Sequence, residues 1–127
     1  MSVPVALDRL AAEVERFGRW AYILTVNDDA TPHAVSLELA WDGSVFSGGG
    51  GRRTAANAAA RPSVTLLWSP YETGGYSLIV DVTAAVDGDG RLKLTPTTGV
   101  LHRTGPSQDP ASSCGNDCVP LTSGPGR

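Results

Sequence analysis

A mostly β (α+β) fold is what this sequence predicts: a small closed antiparallel barrel of about six strands, with a helix at the front and one short crossing helix. Three observations carry that expectation. Apolar and polar residues alternate over His33–Trp41 and Leu78–Val86, the period of half-buried strands. Asp42-Gly43 and Asp87-Gly88-Asp89-Gly90 follow those runs directly, and Asp-Gly is a strong hairpin signal. Two segments only have the spacing or alanine content of helices. Closure is the usual way a small antiparallel sheet hides its edges.

In chain order, Leu7, Leu10, Ala11, Val14 and Phe17 recur at helical spacing opposite Asp8, Arg9, Glu13 and Arg16. Val3–Phe17 is therefore expected as an amphipathic helix, stopped by Gly18. Trp20–Val26, rich in aromatic and β-branched residues, reads as a strand that ends at Asn27-Asp28-Asp29. Along His33–Trp41, Val35, Leu37, Leu39 and Trp41 share one face, and Ser36 and Glu38 the other; Val45–Ser47 returns after the turn. Arg52–Ala60 is dense in alanine and reads as a short helix closed by Arg61-Pro62. Val64–Trp68 is an apolar strand. Leu78–Val86 turns into Arg91–Thr95, and a last short strand covers Gly99–His102.

The chain has 127 residues, with 10 basic and 13 acidic side chains and a formal net charge of −3. That length supports one domain with one modest core. A charge so near zero argues against nucleic acid or an acidic membrane as the partner. No apolar run approaches the ~18–20 residues that span a bilayer. MSVPVALDRLAAEVER lacks the basic lead and apolar block of a secretory signal, so a cytoplasmic location is expected. Residues 104–127 hold four Gly, four Pro and four Ser, too little apolar surface to offset the entropy of ordering. We expect a folded body over residues 1–103 and a tail over 104–127 that carries Cys114 and Cys118.

The segment richest in chemistry is Ser47-Gly48-Gly49-Gly50-Gly51-Arg52-Arg53-Thr54-Ala55-Ala56-Asn57. A strand ends, glycines allow close approach of a ligand to the backbone, and a helix begins with free N–H groups and a favourable dipole for an anion. Arg52 and Arg53 add donors shaped for phosphate. No acidic residue lies between Asp42 and Glu72, whereas three arginines do. No Gly-Lys-Ser/Thr follows, so this is not a Walker loop. The segment is either an anion site or a flexible loop with two solvated arginines.

SVFSGGGGRRTAANAAARPSVTLLW resembles the strand–loop–helix–strand segment of the pyridoxamine 5′-phosphate oxidase-like, FMN-binding split-barrel family. Asn57 and Pro62 keep the family spacing, and the opening helix, the Thr31-Pro32-His33 turn and YSLIVDVTAAVDGDG…LTPTTGVLHR fall where the family puts its elements. The resemblance covers about residues 3–103. It implies a six-stranded split barrel that forms a homodimer, with FMN in the cleft between subunits and a small-molecule substrate. Ser47 and Gly48 would line the phosphate–ribityl side, Arg52 and Arg53 would grip the phosphate, and Asn57 would orient the helix or touch the cofactor. Where the family often has Lys, this chain has Thr54, a donor without charge. Some relatives, especially in actinobacteria, use the deazaflavin coenzyme F-420, and some bind haem. The longer C-terminal region of true pyridoxamine phosphate oxidases, with its substrate-binding arginines and histidine, has no counterpart here, so vitamin B6 oxidation is not expected.

Trp68 could stack near an isoalloxazine ring or simply pack in the core or a dimer interface, and Trp20 and Trp41 are read as core or interface side chains. His102 is a ligand contact or a strand-end side chain, and His33 a turn residue. Glu38 and Asp81 face outward or form a dimer salt bridge. Cys114-Gly-Asn-Asp-Cys118 offers a redox pair, half a metal site, a tight disulfide or a docking tail; no complete metal site is expected. Two functions follow: an FMN- or deazaflavin-dependent oxidoreductase, or a non-catalytic split-barrel module that binds flavin, haem or another anionic small molecule.

Overall fold

The computed structural model describes residues 1–105; Cys114 and Cys118 lie outside them. Eight strands hydrogen-bond into one antiparallel sheet: β1 (Ser2–Val5), β2 (Trp20–Val26), β3 (Pro32–Glu38), β4 (Ala40–Trp41), β5 (Phe46–Gly48), β6 (Ser63–Trp68), β7 (Ser77–Val86) and β8 (Leu92–His102). Two helices, α1 (Leu10–Phe17) and α2 (Arg52–Ala60), accompany them. The sheet order is β3-β2-β6-β7-β8-β5-β4, with β1 beside β8. The two ends of that order are consecutive in the chain, separated by Leu39 alone. Residues 32–38 pair with β2 and residues 40–41 with β5, so the sheet curls round and closes on itself. This is the closed antiparallel barrel that the alternation and the hairpin turns predict, in the split-barrel form that the family resemblance implies.

Three expectations are corrected. The helix over Val3–Phe17 begins only at Leu10, after a 3₁₀ turn at Leu7–Arg9. Residues 2–5 instead fill an edge slot beside β8, with Pro4 opposite Val100. Two valines and a proline suit an edge strand better than a helix. The single run His33–Trp41 divides at Leu39, whose N–H donates to the Arg19 carbonyl at 2.8 Å while the chain changes sheet partner. Arg91–Thr95 and Gly99–His102, expected as two strands, are one. A bulge lets Asp81 pair with Thr98 and Val82 with Pro96, and the intervening Thr97 hydroxyl donates to the Asp81 carbonyl at 3.0 Å. The bulge absorbs the donor that proline lacks.

Strand β2 sets the pattern for the core. Ala21, Ile23 and Thr25 point inward and are buried, as are Leu37, Phe46, Leu66, Trp68, Val80 and Leu94 from the surrounding strands. Leu10 and Val14 of α1 close one side of this core. Outward, Trp20, Tyr22, Leu24 and Val26 are exposed at 64%, 46%, 37% and 42%. Tyr22 pairs with Leu67 and Leu67 with Ile79, which carries the apolar face across the sheet. On that face the Asp81 carboxylate accepts from the Thr65 and Thr98 hydroxyls at 2.7 and 3.0 Å. Glu38 is exposed, 3.6 Å from Arg19. Both acids thus face outward, as expected. Among the described residues no helix is long and apolar enough to cross a membrane.

Closure leaves no room at Gly48, where a Cβ would lie 2.7 Å from the Glu38 carbonyl oxygen and 3.2 Å from Leu39 Cδ2. Gly48→Ala is expected to lower stability by about 1–3 kcal/mol in urea unfolding. Gly88→Ala, in open space, should stay within about 0.5 kcal/mol of the natural chain.

Candidate functional site

The glycine run is a short connection forced between two well-packed elements. Strand β5 ends at the crowded Gly48, and α2 starts four residues later, at Arg52. Gly51 precedes the helix with φ of 90°, a conformation that favours glycine, and offers no side chain to cap it. The first helical bond to close is Ala55 N–H to the Gly51 carbonyl, at 3.0 Å. The N–H groups before it have no side-chain cap, and no acidic residue sits in the first turn. Such an end attracts anions.

Thr54 and Asn57 are the buried polar residues of α2. Asn57 Nδ2 donates to Thr25 Oγ1 at 3.0 Å and to Asn27 Oδ1 at 2.8 Å, tying the helix to β2 and the turn after it. Of its two expected roles, orienting the helix is the one these contacts perform. Arg61 secures the far end, donating from Nε to the Val26 carbonyl and from a terminal nitrogen to Asp28, both at 2.9 Å. Thr54 is fully buried beneath Gly50, where a Cβ would come within 2.8 Å of Thr54 Cγ2. Its hydroxyl has no hydrogen-bond partner among the described residues.

The cationic side chains divide between two clefts. Arg53 is turned toward Asn27, at 3.5 Å from Oδ1, and borders a cleft of about 390 Å³ with Asp28 and Asp29. Hydrogen bonds from Thr31, with a smaller contribution from Arg53, hold the Asp29 carboxyl below its usual pKa. Arg52 is exposed and makes no ion pair among the described residues. On the other side, Arg91 lies 3.7 Å from the position a Gly49 Cβ would take, and Lys93 pairs directly with Ser47 across β5 and β8. Ser47, Arg91 and Lys93 share a cleft of about 460 Å³.

Two acids also border that cleft, each with one carboxylate oxygen bound by nearby N–H groups. Asp42 accepts from the Val45 and Ser44 N–H groups, which lower its pKa, and Asp87 accepts from the N–H groups of Asp89 and Arg91. Arg91 and Lys93 share the cleft with these two carboxylates, and Arg91 is the one that lies toward the glycine loop. Sequence reasoning missed Arg91 and Lys93. The alternation Arg91-Leu92-Lys93-Leu94 signals a shared outward face, but only the β5–β8 pairing brings that face to the loop.

The structure separates the expected site residues: Ser47 borders one cleft, Arg53 and Asn57 border the other, Arg52 is exposed at the helix start, and Thr54 and Gly48 are buried. Trp68 belongs to the core: it is 1% exposed, packs on Phe46 at 5.4 Å between centroids, and donates from its indole to the Gly18 carbonyl at 2.9 Å. His102 Nδ1 lies 2.9 Å from Ser2 Oγ on the surface, and His33 is half-buried in β3. No group of three or more potential metal ligands occurs among the described residues.

No family model matches the chain. The uncharacterized proteins Mb0449c of Mycobacterium bovis and MT0457 of Mycobacterium tuberculosis are each 38% identical to it, over 91% of this chain and 93% of theirs. Among solved structures, a candidate pyridoxamine 5′-phosphate oxidase from Listeria innocua superposes with a TM-score of 0.63 at 16% identity, over 77% of this chain and 98% of that one. The FAD-binding protein of Mycobacterium smegmatis gives 0.60 at 15% identity, over 81% and 100%. The haem storage protein HutZ of Vibrio cholerae gives 0.58 at 13%, over 78% and 96%. The chain therefore belongs to one sequence family with the two mycobacterial proteins, and its fold is the split barrel of the pyridoxamine 5′-phosphate oxidase-like proteins.

Proposed function

We propose that the loop Ser47–Gly51 and the start of α2 hold the phosphate of a flavin-type cofactor, FMN or its deazaflavin analogue coenzyme F-420. The protein would then act as a cytoplasmic oxidoreductase on a small organic molecule. The observation that supports this most is the uncapped helix start, with Arg52 at its first turn and Arg91 beside Gly49. The main-chain N–H groups and Ser47 orient the dianion, and Arg52, Arg91 and Lys93 neutralise it. Arg53, turned toward Asn27 and Asp29, contributes less. Thr54 and Asn57 shape the cradle from beneath. The unmet Thr54 hydroxyl and the open space at Gly51 are compatible with a bound group. When bound, the flavin ring supplies the redox chemistry, and the chain's own residues position it.

The second reading is a binding module without catalysis, in line with the shared fold of the haem storage protein. Titrating the purified protein with FMN, F-420 and haemin separates the two. A yellow complex bleached by a nicotinamide or reduced deazaflavin donor is expected; a colourless protein that binds haemin alone favours the module. Arg52→Ala and Arg91→Ala should each weaken the phosphate-bearing cofactor by about 1.5–3 kcal/mol, and Arg53→Ala by distinctly less. Unchanged affinity in the Arg52→Ala/Arg91→Ala double variant refutes the phosphate assignment.

The outer face of β2 extends this proposal to a homodimer. Four large apolar side chains in alternate positions, continued by Leu67 and Ile79, form the kind of patch that marks an interface. Sedimentation at micromolar concentration should give a dimer. Tyr22→Glu combined with Leu24→Lys should give a folded monomer, and an unchanged sedimentation coefficient would remove this face from the interface.

A further inference from the structure

A cleft of about 390 Å³ opens between the end of α1, the loop that joins β6 to β7 and the end of β8. None of Ser47–Asn57 lines it, so it is separate from the proposed cofactor cradle. Its lining reaches the surface: Tyr71 is 59% exposed, Glu72 is exposed, and Tyr76, Leu101 and Arg103 are half-buried. The Arg103 guanidinium lies over the Tyr76 ring, 5.0 Å from its centroid. Arg103 Nε is buried without a partner. The two terminal nitrogens remain accessible and make no hydrogen bond or ion pair among the described residues. Glu72 folds back over Gly75, where a Cβ would come 3.1 Å from Glu72 Cγ. Its carboxylate has no ion pair among the described residues either. Arg16, the other cation of the cleft, already pairs with Glu13 and donates to the Tyr71 hydroxyl, each at 2.7 Å.

Arg103 and Glu72 thus set one charge of each sign on a single accessible cleft, and the two side chains do not pair with each other. A half-buried guanidinium without a carboxylate gains from one, through charge-assisted bonds to its fork of donors. An anion alone would also meet Glu72, and a cation alone would also meet Arg103. A ligand with both charges satisfies both side chains. The cleft has the size of a small-molecule site. We infer that it binds a free α-amino acid with an aromatic or other apolar side chain. The α-carboxylate accepts from the terminal nitrogens of Arg103, and the α-ammonium group donates to Glu72. The side chain lies against the exposed Tyr71 ring and Leu101. A phosphate would bring a second negative charge toward Glu72 and leave that apolar surface uncovered.

L-Phenylalanine, 3-phenylpropanoate and 2-phenylethylamine share a ring and differ in the charges they carry. Titrated into the ¹⁵N-labelled full chain, L-phenylalanine should shift the Gly74 and Gly75 amide resonances in a saturable manner. It should bind about tenfold more tightly than either analogue. Arg103→Gln should erase its advantage over 2-phenylethylamine, and Glu72→Gln its advantage over 3-phenylpropanoate. Glu72 is exposed, so Glu72→Gln is expected to fold even where Arg103→Gln does not. Arg52→Ala should leave the affinity for L-phenylalanine unchanged, which separates this cleft from the phosphate proposal. No saturable shift, an analogue that binds as tightly as L-phenylalanine, an advantage that survives the matching substitution, or lost binding in Arg52→Ala would each overturn the inference.

Discussion

The closure of the sheet at Leu39 is the constraint on which the rest depends. One ten-residue segment borders β2 with its first part and β5 with its last, and a single backbone bond from Leu39 to the Arg19 carbonyl marks the change. That exchange presses Gly48 against the Glu38 carbonyl and sends the chain out of β5 with no room for a side chain. The glycine run therefore starts where packing demands it. The same corner leaves a hollow beneath α1, since Leu39, Trp41 and Phe46 line it at the point where the strands diverge.

Charge is organised by the hairpins rather than by the helix alone. The turn aspartates keep their charge but are fixed in place, each accepting nearby N–H groups through one carboxylate oxygen. Asp42 closes the β4–β5 turn, and Asp87 the β7–β8 turn. Arg91 lies beside the loop and Lys93 pairs opposite Ser47, whereas Arg53 is drawn to Asn27 and Asp29. Of two adjacent arginines with the same local sequence signal, the structure gives a partner to one and leaves the other exposed.

Much of the fold was legible because its signals are local. β2 and α2 have the boundaries that aromatic, β-branched and alanine content predict, and both Asp-Gly turns form. The errors fall where a distant partner decides. Val3 and Val5 form a strand because β8 offers an edge about a hundred residues away, while helical spacing described only Leu10, Val14 and Phe17. Pro96 looked like a strand end because the bulge opposite Asp81 and Val82 cannot be seen from one strand. The glycine loop was visible for the same reason as the turns, being a contiguous run. Arg91 and Lys93 were not, since their place beside it rests on pairing across some 45 residues. The burial of Trp68 depends on the tertiary core and on the Gly18 carbonyl, neither of which its neighbours in sequence encode.

Strand β8 has a place in the molecule that bears on how it is made. It pairs with β7 along its whole length, with β5 near its start and with β1 near its end. During synthesis on the ribosome it is the last of the eight to emerge, so β1 and β5 wait without this neighbour until the final strand has left the exit tunnel. Contacts between such distant parts of the chain form slowly, and exposed strand edges invite association with other nascent chains. The barrel can complete itself only once β8 has emerged, and until then its open edges are exposed to cellular chaperones.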